Sequence, residues 1–327
     1  MAFFSIIVPA FNEAKTIKQC LDSLVLVDYP GREIIVVDDG SSDNTAQIAD
    51  RYKGYGIKVV KQDNKGRAAA LNKGVSESKG DIILCIDADT IVMPDLIKRY
   101  KHYFDSGYDA VGGDVRVLNS GNVIAYANGL LYLVFNSLFK RNLAPNKLSG
   151  PDLAIKKKVL LESGGFSELA WWCEDLDLSD KLKHNRKIIF ATDIFVYISE
   201  PNTIYASWKQ KYQYGLAAGL RVRRREWRGF HVFLRPTYFL SVIIIFFIFK
   251  IFFRYNAYIW LFFLSALIAP IILISGLSLI AIYKYKEYSY LKAVPLVGFQ
   301  FFLRELSYTI GFLFGLLKYG NRRASWK

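Results

Sequence analysis

Asp87-Ala88-Asp89 sets two carboxylates one residue apart at the end of an apolar run, and other acidic clusters are placed in the same way. Pro9-Ala-Phe-Asn-Glu13 follows a first apolar run, and Val36-Val-Asp-Asp-Gly-Ser-Ser-Asp43 ends a second. Asp63-Asn-Lys-Gly-Arg-Ala-Ala-Ala-Leu-Asn-Lys-Gly74 is a glycine-containing turn into a helical pattern. Gly164-Gly-Phe166 stands ahead of Cys173-Glu-Asp-Leu-Asp177. Singly, each has a plain structural reading, since strand-end carboxylates cap helices and Gly-Gly stops them. Together they crowd negative charge, with almost no basic residue to neutralise Asp38, Asp39, Asp87 and Asp89. Carboxylates crowded in this way repel and require a cation or extensive hydrogen bonding. All-oxygen ligands point to Mg²⁺ or Mn²⁺, whose coordination is completed by phosphate oxygens.

The elements that must hold these residues alternate. Phe3–Val8, Glu33–Val37, Ile57–Lys61 and Asp81–Ile86 read as strands. Segments 13–26, Asp43–Tyr52, Arg67–Ser76 and Met93–Phe104 read as helices, the second opened by Ser/Asp caps and the last at Pro94. Continuously apolar strands between helices predict an α/β fold with a mostly parallel sheet covered on both faces. Such sheets bind ligands beyond the carboxyl ends of their strands, where the clusters fall. An apolar, aromatic stretch over 123–139 is too short to span a bilayer and is expected to pack as a helix on this soluble domain.

With these motifs in order, the chain resembles a family-2 glycosyltransferase with a GT-A fold over roughly its first two thirds, Phe3 to about Gly219. The resemblance implies roles. Pro9, Glu13, Asp39, Asn64, Lys65 and Gly66 resemble nucleotide-sugar-binding positions, with Asp39 near the base. Asp87 and Asp89 resemble the DxD pair, in which Asp89 coordinates the metal and Asp87 serves the ribose side. Asp175, with Glu174 beside it, resembles the general base of inverting members. Gly165, Phe166, Trp171 and Trp172 look like part of an acceptor pocket. Processive synthases of the family carry Gln-x-x-Arg-Trp, and here the matching stretch is Gln210-Lys-Tyr-Gln-Tyr214. Gln210 and Tyr214 remain as acceptor-side candidates, while the lost Arg-Trp pair favours adding one sugar over building a long chain.

The last third differs in kind. From residue 201 onward there are 18 Lys/Arg against 3 Asp/Glu, and before it 25 against 26. Basic and apolar together suit an anionic membrane surface rather than nucleic acid. The expected division is a catalytic domain over 1–203, a basic interface helix region over 204–235 and a membrane domain over 236–327. Segments 236–253 and 257–283 are long enough to span. Segment 293–317 carries Gln300, Arg304 and Glu305, so it spans or re-enters with its charges facing protein or water. Three cysteines without a CxxC exclude a disulfide framework or zinc ribbon. The expectation is an inverting, metal-dependent glycosyltransferase in the cell membrane, multi-pass, with its catalytic domain cytoplasmic. Its donor is nucleotide-linked, UDP first and GDP as the alternative. Its acceptor is a polyprenyl phosphate or lipid-linked glycan. A processive polysaccharide synthase and an inactive membrane scaffold are the competing readings.

Overall fold

Phe4–Ala10 has the composition of a strand covered on both faces, and every residue in it is buried. The computed structural model describes residues 2–118, 121–134, 148, 151–168, 174–223, 272, 274–280 and 288–317. Its strands are β1 (Phe4–Ala10), β2 (Arg32–Asp38), β3 (Ile57–Lys61), β4 (Ile82–Ile86), β5 (Thr90–Ile91), β6 (Ala110–Val117), β7 (Asp152–Lys156) and β8 (Ile188–Ile198). Its helices are α1 (Ile17–Val25), α2 (Thr45–Asp50), α3 (Arg67–Glu77), α4 (Leu96–Asp105), α5 (Val123–Val134), α6 (Lys157–Glu162), α7 (Glu174–Leu182), α8 (Ile204–Arg223) and α9 (Val294–Leu317).

The chain divides into two compact units. The first comprises residues 1–118, 139–199 and 321–327. It is built on one sheet in the order β3-β2-β1-β4-β7-β6-β8-β5. β1 pairs in parallel with β2 and β4, β2 with β3, and β6 with β8, while β7 and β5 run against their neighbours. The sheet is therefore mostly parallel, as expected. Alternation sorts its side chains: Phe4, Ile6 and Val8 pack with Leu21, Leu24 and Tyr100 on one face. Ile7, Ile35 and Val37 pack with Leu71, Leu160 and Leu178 on the other. The two-residue strand β5 is too short for a periodic signal and escapes sequence reading. The following helix begins at Leu96 behind Asp95, not at Pro94.

The second unit comprises residues 119–138 and 200–320. Within the 123–139 segment Val123–Val134 forms a helix, α5, the rest lying outside the described residues, and its apolar side chains pack with Ile274, Ala293 and Val297 of this unit. This corrects the expectation that it packs on the sheet domain. α8 and α9 lie side by side in parallel. A Cβ on Gly215 or Gly219 would meet Tyr308 O at 1.9 Å or Phe312 O at 2.1 Å, and one on Gly311 or Gly315 would meet Tyr212 O at 2.1 Å or Leu216 O at 2.3 Å. Gly-x-x-x-Gly on both partners thus lets the backbones touch. Ser307 Oγ donates to Trp208 O at 2.7 Å.

Asn128, Glu200, Ser207, Gln300, Arg304 and Glu305 are buried in this unit, while Ile272, Ile280, Phe299, Phe314 and Leu317 are exposed. Asn128 ties three helices together: Nδ2 donates to Pro201 O at 3.1 Å, and Oδ1 accepts from Ser207 Oγ at 3.1 Å and Arg304 Nη1 at 2.7 Å. Glu200 Oε1 and Oε2, Gln300 Oε1 and Nε2, and Gln210 Oε1 are buried without a hydrogen-bond partner. Such an atom costs about 1–3 kcal/mol. The set therefore approaches a whole domain's net stability, about 5–15 kcal/mol. Among the described residues no helix is long and apolar enough to cross a membrane. The 293–317 segment is α9, 24 residues with its polar side chains buried. Segment 236–253 and most of 257–283 lie outside the described residues.

Candidate active site

Three acidic clusters meet beyond the carboxyl ends of β1, β2 and β4. The first two are laced together. Asn12 adopts φ 57°, a left-handed conformation that Asn tolerates better than most residues. Its Oδ1 accepts from Ser42 N at 2.8 Å. Glu13 N donates to Thr45 Oγ1 at 2.7 Å, and Ala14 N donates to Asp43 Oδ2 at 3.1 Å. Pro9 is buried in β1 opposite Val37.

Asp39 is fully buried and organises the turn after β3. Its Oδ1 accepts from Gln62 Nε2 at 2.6 Å and Lys65 N at 2.9 Å, and its Oδ2 accepts from Gly66 N at 2.8 Å. Gly40, at φ 75°, permits the approach, because a Cβ there would lie 2.9 Å from Asn64 N. Asp39, Asn64, Lys65 and Gly66 therefore form one substructure. Beside them, Asp38 Oδ1 and Asn64 Oδ1 are buried acceptors without a partner.

Arg67, the first residue of α3, changes the electrostatic reading. Its Nε donates to Asp87 Oδ1 at 3.0 Å, and its Nη1 pairs with Glu174 Oε1 at the start of α7. The expectation that Asp87 lacks a basic neighbour is corrected. Arg67 lies inside the Asn-Lys-Gly-Arg motif, but only the fold brings it between two carboxylates 20 and 107 residues away. Burial opposes its charge, yet Asp87 and Glu174 outweigh burial and hold the guanidinium well above its usual range. Burial raises the Asp87 carboxyl, Arg67 works against that, and Glu174 adds to it. Glu13 is also raised, first by burial and then by Asp87 and Asp43, with the Thr16 hydroxyl opposing. Asp87 and Glu174 thus share the Arg67 guanidinium.

Asp89 is half-buried beside Asp87, and Asp175 is half-buried on the first turn of α7, where its Oδ1 accepts from Leu176 N at 2.8 Å. Among the described residues no group of three or more His, Cys, Asp or Glu side chains is placed to hold a metal by itself. A cation completed by phosphate oxygens needs only one or two carboxylates, and the net negative charge around Asp87 and Asp89 fits one.

The Gly164-Gly165-Phe166 turn is fixed to α3. Asn72 Nδ2 donates to Phe166 O at 2.8 Å, and Phe166 N donates to Asn72 Oδ1 at 2.9 Å. The Phe166 ring is buried among Leu71, Leu160 and Leu178, so it is a core side chain and only the turn's backbone remains for an acceptor. Trp171 and Trp172 lie outside the described residues. Gln210 and Tyr214 sit on α8 in the second unit, with Lys211 Nζ 4.6 Å from the Tyr214 ring centroid.

The chain matches the Glycosyl transferase family 2 model over residues 5–152 and the Glycosyl transferase family group 2 model over residues 82–277. Poly-beta-1,6-N-acetyl-D-glucosamine synthase of Staphylococcus aureus (strain COL) is 32% identical over 213 residues, 62% of this chain and 51% of that protein. Its counterpart from Staphylococcus epidermidis is 31% identical over 218 residues, 63% of this chain and 52% of that protein. The chain spans about half the length of the curated relatives it matches. In fold it is similar to the mannosyltransferase PcManGT from Pyrobaculum calidifontis, solved in complex with GDP-Man and Mn2+. There the TM-score is 0.59 at 19% identity, covering 95% of this chain and 87% of that one. That likeness and the mixed sheet with flanking helices give the architecture as GT-A. With one of these family models reaching across more than half of the chain, this protein belongs to the family-2 glycosyltransferases.

Proposed function

We propose that the protein transfers a sugar from a nucleoside-diphosphate donor to a membrane-associated acceptor, with inversion at the anomeric carbon. The observation that carries this reading is Arg67, which joins Asp87 of the DxD pair to Glu174 beside Asp175. Donor-side and acceptor-side motifs are thereby tied at one point. The turn clamped by Asp39 presents Lys65 and Gly66 to the nucleotide, and the unpartnered oxygens of Asp38 and Asn64 suit hydrogen bonds from base or ribose. Asp89, with Asp87, would hold Mn²⁺ or Mg²⁺, which would stabilise charge on the departing diphosphate. Asp175 takes the proton from the acceptor hydroxyl. Glu174, paired with Arg67, holds the helix that carries it. The second unit, polar within and apolar without, supports a lipid location with the catalytic unit on the cytoplasmic side.

A thermal-shift panel of nucleoside diphosphates with Mn²⁺ tests the donor site. A nucleotide at 100 times its dissociation constant adds about 2.7 kcal/mol of stability. UDP is expected to lead, and absence of any shift would refute the donor assignment. Asp89→Ala is expected to abolish metal-dependent turnover without lowering the melting temperature.

The relatives' name favours a second reading, a processive synthase, and makes N-acetylglucosamine the first sugar to test. Product length on a gel separates one addition from many.

A further inference from the structure

We infer that Arg67 is a built-in counter-cation that keeps Asp87 and Asp89 a weak site for free metal until a nucleoside diphosphate arrives, so that metal and donor bind as a coupled pair. The inference rests on the donor reading above and concerns how that site is regulated.

The guanidinium is fixed in place from several directions. Its Nε and Nη2 both donate to Asp87 Oδ1, at 3.0 Å and 2.5 Å, while Nη1 pairs with Glu174. The Arg67 side chain is 16% exposed and that of Glu174 is 6% exposed, so solvent screens the contacts poorly. The backbone is held as well. Arg67 opens α3 directly after Gly66, and Asp39 accepts from the N–H groups of Lys65 and Gly66. The cation beside Asp87 is therefore one peptide bond away from the turn that would meet the nucleotide.

A divalent cation approaching Asp87 meets a positive charge already bound to that carboxylate. The two repel, and in a half-buried site the repulsion is only partly screened. Among the described residues no three His, Cys, Asp or Glu side chains are grouped to hold a metal. With the charge of Asp87 already met by Arg67, the protein alone offers little to replace a cation's water shell. A diphosphate brings both the missing negative charge and further oxygen ligands. It also gives the guanidinium a second anion, which a planar fork of donors is suited to meet. Arg67 thus opposes free metal but tolerates metal that comes with a diphosphate. Such coupling is reciprocal, so nucleotide tightens metal by the same factor as metal tightens nucleotide.

The test uses the full chain in detergent. Calorimetry measures Mn²⁺ alone, UDP alone and the two together, corrected for Mn²⁺–UDP association in solution. In the wild type, UDP is expected to tighten Mn²⁺ about 30-fold. Arg67→Gln removes the charge and is expected to bind Mn²⁺ alone about tenfold tighter, so that the effect of UDP falls to about threefold. Arg67→Lys keeps a cation but loses the fork, and it carries the test if Arg67→Gln does not fold. It is expected to bind Mn²⁺ alone about threefold tighter. A merely structural Arg67 would instead give variants that bind Mn²⁺ and UDP more weakly together. Affinity for Mn²⁺ alone that is unchanged or weaker in the folded variants overturns the inference. So does a wild-type protein that binds Mn²⁺ equally well with and without UDP. In both cases the donor reading stands. Failure of the wild type to bind UDP in the presence of Mn²⁺ would overturn that reading instead.

Discussion

The two units treat polar groups in opposite ways. In the sheet unit the central charges are paired, though Asp38 and Asn64 each keep one unpartnered oxygen: Asp39 accepts three hydrogen bonds, and Arg67 spans Asp87 and Glu174. In the helical unit, Glu200 and Gln300 are buried with no partner, while large apolar side chains face outward. The contrast separates pairing that holds a site rigid from polarity kept open for something else. A protein tolerates the second only where function outweighs stability.

The sharpest test of this contrast is Arg67→Ala. It leaves two carboxylates without their cation, and breaking a buried pair costs about 3–5 kcal/mol. A fall in chemical-denaturation stability of that size, with turnover down at least 100-fold, is expected. Stability within 1 kcal/mol of wild type would show that the sheet unit's pairing is not what holds its site.

Next is an exception within the sheet unit, Asp152. Asp152 is fully buried at the start of β7 and opposite Ile86, the residue before Asp87. Tyr100 OH donates to its Oδ1 at 2.5 Å, while its Oδ2 has no partner. Burial pushes its carboxyl up to about 7, with the Tyr100 hydroxyl opposing and Asp114 adding. The folded state therefore holds this proton more tightly than the unfolded chain does. Its contribution favours folding at acid pH, declines as pH rises from about 4 to 7, and is wholly unfavourable above that. Asp152→Asn cannot ionise, so its stability relative to wild type is expected to rise with pH, by up to about 4 kcal/mol at pH 8. Melting curves at pH 5 and pH 8 measure it, and an equal difference at both would refute the assignment.

A smaller effect is expected at Asn72. Asn72→Ala removes both hydrogen bonds to Phe166 and costs about 1–3 kcal/mol. Transfer is expected to slow about tenfold at unchanged UDP affinity, because the turn leads to the helix of Asp175. An equal loss of UDP affinity would place Asn72 on the donor side. The smallest effect is at the exposed Lys18–Asp22 pair, at 2.7 Å and one helical turn apart. Lys18→Ala should cost about 0.3–0.5 kcal/mol in denaturant titration.

The strand-end clusters were legible because such motifs are local. Pro9 to Glu13, Asp38-Asp39, Asn64 to Gly66 and Asp87-Ala88-Asp89 each need only a strand, a turn and the following residues. Arg67 was not assigned a role, because a basic residue in a glycine turn gains meaning only from carboxylates far away in sequence. Phe166 looked like part of a binding turn, since its motif carries no sign that the ring enters the core. The 123–139 segment read correctly as a helix but was placed in the wrong unit, because apolarity announces burial and not against what.

Composition, periodicity and motif order by themselves determined an α/β sheet, its acidic strand ends and a chemically distinct last third. Those properties follow from short-range sterics and from the two-residue and 3.6-residue periods that the chain carries wherever it folds. Only tertiary structure decided that Arg67 links Asp87 to Glu174, that paired glycines bring α8 against α9, and that Glu200 and Gln300 are buried without partners. Each depends on bringing together residues tens to hundreds of positions apart, and the free energy of those contacts exists only once the chain has closed the loops between them.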